Sequence, residues 1–182
     1  IKDLNQYIDT DHVLICQYDG IGINPEFWNE KFLNYDCIGS ATYYKHPPLL
    51  STLTKCRLVD DLEHSWYPLG GGFCLRSKKL LNALSDPEVK PYFWDYTLNA
   101  QWSCEDISIG MIYRKFMEEK YGIVYGSFED SVEFCSEILS AYNFCLGFHG
   151  WDQIPMFLSE DEIRSIKRIS VIACGTAYHA GL

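Results

Sequence analysis

The sequence predicts a mixed α/β domain, and three observations carry that prediction. Apolar runs of strand length recur, as in Val13-Leu14-Ile15-Cys16 and Phe73-Cys74-Leu75. Amphipathic runs with recognisable start and stop signals alternate with them, the clearest between 103 and 122. At 47% hydrophobic and 15% aromatic over 182 residues, the chain can close a substantial core. A formal charge of -10 argues against nucleic acid or an anionic membrane as partner, since both need clustered Lys and Arg. A phosphorylated ligand stays compatible if a divalent cation stands between. No run is long enough to span a membrane and none reads as a signal peptide. The eight cysteines form no Cys-x-x-Cys pair and mostly sit in apolar runs. This usage predicts free thiols in a reducing, cytoplasmic compartment. The chain starts at Ile1, and part of a longer polypeptide is expected.

Taken in order, Leu4, Tyr7 and Ile8 predict the last turns of a helix. Residues 12–18 predict a buried, central strand that delivers Asp19-Gly20 at its exit. A carboxylate there suits a site at the edge of an α/β sheet, or simply an Asp-Gly turn. Residues 24–35 predict a helix, with Asn24 as cap, Pro25 in the first turn, and Phe27, Trp28, Phe32 and Leu33 on one face. Residues 36–39 predict a short strand. Residues 41–67 read as irregular, with His46 and His64 at the surface.

Gly70-Gly71-Gly72 runs straight into Phe73-Cys74-Leu75-Arg76-Ser77. That order predicts a turn, a buried strand over 73–76, and a helix capped by Ser77. The turn is either the floor of a ligand pocket or a tight turn that only packs. Residues 86–102 predict a packed loop. Ser103 then caps a helix through Ile107, Met111, Ile112 and Phe116 that Gly122 ends. Glu105 and Asp106 in its first turn suit the helix dipole, and equally a general base at a pocket edge. Residues 128–138 fit helix or strand alike. In Gly147-Phe148-His149-Gly150, His149 is a metal ligand or a hydrogen-bonded core histidine. Ser159 and Glu162 form a capping box for a charged helix to 167, and a strand over 169–173 leads into a glycine turn that suits phosphate.

Three of these pieces together carry a resemblance over residues 1–155: Gln17-Tyr18-Asp19-Gly20, the stretch from Gly70 to Ser77 with Glu105-Asp106 downstream, and Gly147-Phe148-His149-Gly150. In order and spacing they resemble a family of uncharacterised, glycosyltransferase-like bacterial and fungal domains, and the GT-A layout of fringe-type enzymes. The resemblance implies a GT-A-like mixed sheet. It implies a nucleotide-sugar donor and a carbohydrate acceptor, in a setting such as cell-surface polysaccharide synthesis. Asp19 and His149 would hold Mn²⁺ or Mg²⁺. Gly70, Gly71, Gly72, Phe73 and Trp151 would line the sugar site, and Asp106, or Glu105, would be the base. The chain departs from that layout in two ways. Gln17 stands where an Asp-x-Asp motif has its first acid, and only eighteen residues precede Asp19. An N-terminally truncated nucleotide-binding half is therefore expected. The tail, 156–182, resembles from 158 onward the opening of the first sugar-isomerase (SIS) domain of glutamine-dependent glucosamine-6-phosphate synthase, too short to fold as one. The competing readings are a non-catalytic carbohydrate-binding or scaffold module and a fragment of a phosphosugar isomerase.

Overall fold

The computed structural model describes residues 3–43, 66–89, 105–137 and 144–165. Expectations for His46, His64, the Ser103 cap, residues 90–102 and the glycine turn after 173 lie outside the described residues. The fold is mixed α/β with small sheets. Its organising strand is β6 (Phe73–Ser77), every residue of which is buried. β6 pairs antiparallel on one side with β1 (His12–Cys16) and on the other with β3 (Cys37–Ile38). Successive side chains on a strand face opposite ways. Phe73 and Leu75 therefore enter one core, with Phe32, Ile38, Phe134, Cys135 and Leu146. On the opposite side Arg76 reaches Glu105.

A second, mixed sheet has β8 (Gly147–His149) in its centre, antiparallel to β2 (Gly20–Gly22) and parallel to β7 (Cys135–Ser136). β4 (Ser40–Tyr43) and β5 (Trp66–Leu69) form a separate antiparallel pair. The helices are α1 (Lys78–Ala83), α2 (Glu105–Ile107), α3 (Arg114–Tyr121), α4 (Phe128–Phe134), α5 (Ile154–Phe157) and α6 (Glu160–Ser165). Leu80, Leu81 and Ala83 of α1 pack with Ile109, Met117, Ile123 and Tyr125 in the second core.

The turn–strand–helix reading of 70–84 holds. Ser77 caps α1 by accepting from Leu80 N–H at 3.0 Å. The capping box at Ser159 and Glu162 also forms. Other expectations need correction. β1 is an edge strand within its sheet, and Leu14 is 43% exposed, so its continuous apolar run does not signal burial on both faces. Residues 4–7 make a 3₁₀ turn. Residues 24–35 form two 3₁₀ turns, Pro25–Phe27 and Glu30–Asn34, separated where Trp28 leaves helical geometry (ψ 131°); Asn24 makes no side-chain cap bond, and its side-chain N–H donates to the Cys145 carbonyl at 2.9 Å. Of the four apolar residues proposed for one face, Phe32 alone is buried. The helix from 105 to 121 is interrupted by a π turn at Ser108–Ile112.

Asp36 ties three of these elements together. Its carboxylate accepts from the Ser77 hydroxyl at 2.6 Å, from Val124 N–H at 2.9 Å and from Lys79 Nζ at 3.0 Å. Burial pushes the carboxyl up, but these donors outweigh it and hold it below its ordinary value. A depressed folded-state pKa adds stability that is present above the unfolded value, about 4, and is lost as pH falls through the folded value. We expect Asp36→Ala to cost roughly 2 kcal/mol at neutral pH, because it strands the buried Ser77 hydroxyl and removes the acceptor of Val124 N–H and Lys79. Urea melts at neutral and acid pH check this: the gap to wild type should narrow on acidification.

Candidate functional site

The site grows from a crossing of two backbones. Gln17, just past β1, donates its N–H to the Gly72 carbonyl at 2.7 Å, and Gly20 N–H closes the Tyr18-Asp19 turn onto the Gln17 carbonyl at 3.0 Å. Gly20 lies so close to the Gly72 carbonyl that a β-carbon would overlap it. The turn feeds β2, in which Gly20 stands opposite His149 of β8. Gly150 N–H donates to the Asp19 carbonyl at 2.9 Å. Strand pairing thus brings together two residues 130 positions apart in sequence (149 less 19).

His149 Nε2 lies 3.6 Å from Asp19 Oδ1, too long for a hydrogen bond, and that oxygen is buried without a hydrogen-bond partner among the described residues. The other ring nitrogen, Nδ1, is 2.9 Å from Glu137 Oε1. Burial pulls the imidazole pKa down. The Glu137 hydrogen bond and the charges of Glu137, Asp19 and Asp106 outweigh burial and raise it above its ordinary value. The ring rests on Gly72, where a β-carbon would overlap it. Gly72 is therefore required for space.

Gly71 makes the same contact with the acidic pair. A β-carbon there would overlap Glu105 Oε1 and stand 3.6 Å from Asp106 Cβ. Glu105 meets Nη2 of Arg76 at 3.4 Å. Arg76 is 2% exposed, with Nε and Nη1 buried and without hydrogen-bond partners among the described residues. Burial first, then the charge of Glu105, pushes the Asp106 carboxyl above its ordinary range; Glu137 adds to this, while Ile107 N–H, donating at 2.8 Å, and Arg76 oppose it. A carboxyl poised in this way is suited to taking up a proton.

Asp19, Gly71, Gly72, Glu105, Asp106 and His149 are therefore gathered around one turn. The other expected sugar-lining residues differ. Phe73 is fully buried, with its ring centroid 5.4 Å from that of Phe134. It is a core residue beneath the turn and has no surface to offer a sugar. Gly70, with φ +104, backs onto Ser40. Trp151 is 56% exposed and meets Tyr18, ring centroids 5.7 Å apart. These aromatics flank Asp19 and His149 in sequence. Glu137 was not singled out from the sequence. It follows a helix that turns into a strand without a Gly or Pro between, so spacing left its direction open.

Asp19 and His149 fit a divalent cation by their atoms and spacing. Asp19 supplies an unpartnered buried oxygen, and His149 a second donor atom facing it. Two ligands at about 2.1 Å from one ion stand about 3–4 Å apart, so the pair fits. Among the described residues no three His, Cys, Asp or Glu side chains are placed to hold an ion. Further ligands would have to come from solvent or substrate. No described helix is long and apolar enough to cross a membrane.

Comparison with curated proteins and with solved structures finds no match. The family model "Protein of unknown function (DUF5672)" matches residues 4–149, a stretch that includes every residue gathered around the Gly71-Gly72 turn; the chain belongs to that family.

Proposed function

We propose that the domain, in its full-length protein, transfers a sugar from a nucleotide-sugar donor to an acceptor hydroxyl, on a GT-A-like scaffold. The observation that carries this reading is the meeting of Asp19 and His149 with Glu105 and Asp106 around Gly71-Gly72. A group of carboxylates this dense needs a cation, and the only described guanidinium paired with it, Arg76, is buried and bound to Glu105. Asp19 and His149 would hold Mn²⁺ or Mg²⁺, which supplies charge neutralisation to the leaving diphosphate. Asp106 takes the proton of the acceptor hydroxyl. The oxygen then bonds to the anomeric carbon as the bond from that carbon to the diphosphate breaks. The nucleoside diphosphate leaves, and Asp106 later returns its proton to water. Asp106 should stay off the metal, because a coordinated carboxylate is a poor base.

A second reading, a carbohydrate-binding module without turnover, is favoured by the exposed Tyr18–Trp151 pair. The experiment that separates them is release of nucleoside diphosphate by the full-length protein across a panel of nucleotide sugars, with and without Mn²⁺. The transfer reading expects release from at least one donor, dependent on a divalent cation and lost in Asp19→Asn. Oligosaccharide binding without release from any donor would favour the module instead.

A further inference from the structure

We propose that Glu137 is a positioning residue that fixes the tautomer and orientation of His149, so that the lone pair of Nε2, and not that of Nδ1, faces Asp19. The proposal gives the site above a residue it lacked, and its relevance to metal binding rests on that reading.

The placement comes from strand geometry. β7 and β8 run parallel, with Ser136 opposite Phe148. Glu137 and His149 follow these two residues, one at the exit of β7 and one at the end of β8. Side chains at matched positions of paired strands share a face. Both oxygens of Glu137 are engaged: Oε1 is 2.9 Å from His149 Nδ1, and Oε2 accepts from the hydroxyl of Ser40, a wholly buried residue of β4. The carboxylate is thus anchored on the side away from the imidazole and cannot swing. An ionised carboxylate only accepts hydrogen bonds, so Nδ1 must carry the proton. In the neutral ring Nε2 is then bare, and it is this atom that lies 3.6 Å from Asp19 Oδ1. A bare nitrogen facing a buried, unpartnered oxygen is unfavourable unless a proton or cation lies between them. Gly72 packs against the ring at Cδ2, Nε2 and Cε1, so the absence of a β-carbon there leaves Nε2 its space. Carboxylates that orient a ligating histidine in this way raise its basicity and metal affinity, and their loss typically costs about 10–100-fold.

The test uses the full chain and two variants, Glu137→Leu, which removes the acceptor, and Glu137→Gln, which keeps an acceptor of the same length. The first readout is ¹⁵N–¹H NMR of His149, with the pH raised until its ring nitrogen shifts stop changing, so that the ring is neutral although its pKa is raised. Assignment comes from loss of the signal in His149→Gln. Wild type and Glu137→Gln should show the Nδ1–H tautomer, and Glu137→Leu the Nε2–H tautomer. The second readout is Mn²⁺ affinity by electron paramagnetic resonance. It should fall about 10–100-fold in Glu137→Leu and only a few-fold in Glu137→Gln. An Nε2–H tautomer in the wild type overturns the proposal by itself, even if Glu137→Leu fails to fold. So does a folded Glu137→Leu with the wild-type tautomer. If wild type shows the Nδ1–H tautomer but binds no Mn²⁺, the positioning role stands and the metal reading fails.

Discussion

Asp106→Asn should lower sugar transfer by roughly 10²–10⁴-fold, the usual worth of a general base, with donor binding little changed. The same substitution should make the protein more stable. Burial, then the charges of Glu105 and Glu137, raises the folded-state pKa of Asp106. A raised carboxyl pKa contributes stability that is full below the unfolded value and is lost as pH rises through the folded value. At neutral pH the charged carboxylate is therefore a liability that Asn removes. Asn also keeps an oxygen to accept from Ile107 N–H, which is held at 2.8 Å. A gain of about 1 kcal/mol would raise Tm by about 2–4 °C in a chain of this length. The gain should shrink as pH falls through the folded value and vanish below the unfolded value of about 4, where Asp106 is protonated in both states. Thermal melts over that range, beside a donor-release assay, check both parts. Undiminished transfer would end the base assignment, and a lower Tm at neutral pH would end the electrostatic account.

Gly72→Ala should be strongly damaging, because it acts directly on a site side chain. The new β-carbon would overlap the His149 ring. The backbone cannot retreat, because Gln17 N–H holds the Gly72 carbonyl at 2.7 Å and Gly20 lies against it. The ring is tethered through Nδ1 to Glu137, so relief requires breaking that bond or moving β8. Overpacking of this kind costs roughly 1–3 kcal/mol, and transfer should fall with it by more than about 100-fold if His149 is displaced. Gly71→Ala is the control. Its β-carbon meets the end of the Glu105 side chain, which is 33% exposed and can shift at the cost of its 3.4 Å contact with Arg76, so its stability loss should be smaller. Urea melts of the two variants test the ranking, and a Gly72→Ala protein as stable and active as wild type would show that the ring has room.

Local chemistry made some of this fold legible. Three glycines before an apolar run, then a serine, were enough to place the turn, β6 and the Ser77 cap, because each signal acts within a few residues. The Ser159–Glu162 box is local in the same sense. What stayed hidden was set by long-range pairing. A continuous apolar run cannot say whether its strand is central or at an edge, and β1 proved to be an edge strand. Asn24 looked like a cap because nothing nearby revealed that Cys145 would take its amide. The approach of Asp19 to His149 depends on β2 pairing with β8, which no spacing within either segment encodes. Phe73 was misplaced for a related reason. A strand residue next to a site-forming turn can face the site or the core, and Phe134 settles which. Glu137 was the largest omission, because α4 passes directly into β7 and the period changes from 3.6 to 2 within the segment.

The central claim is that Asp19 and His149 share one ion at the turn that also carries Glu105 and Asp106. The most direct measurement is paramagnetic broadening of histidine ring signals on titration with Mn²⁺. His149 should broaden first, at an Mn²⁺ concentration too low to affect His12, whose Nε2 lies 3.1 Å from the Tyr35 carbonyl. The effect should vanish in Asp19→Asn. A His149 signal that stays sharp at stoichiometric Mn²⁺, or that broadens equally in wild type and Asp19→Asn, would contradict it.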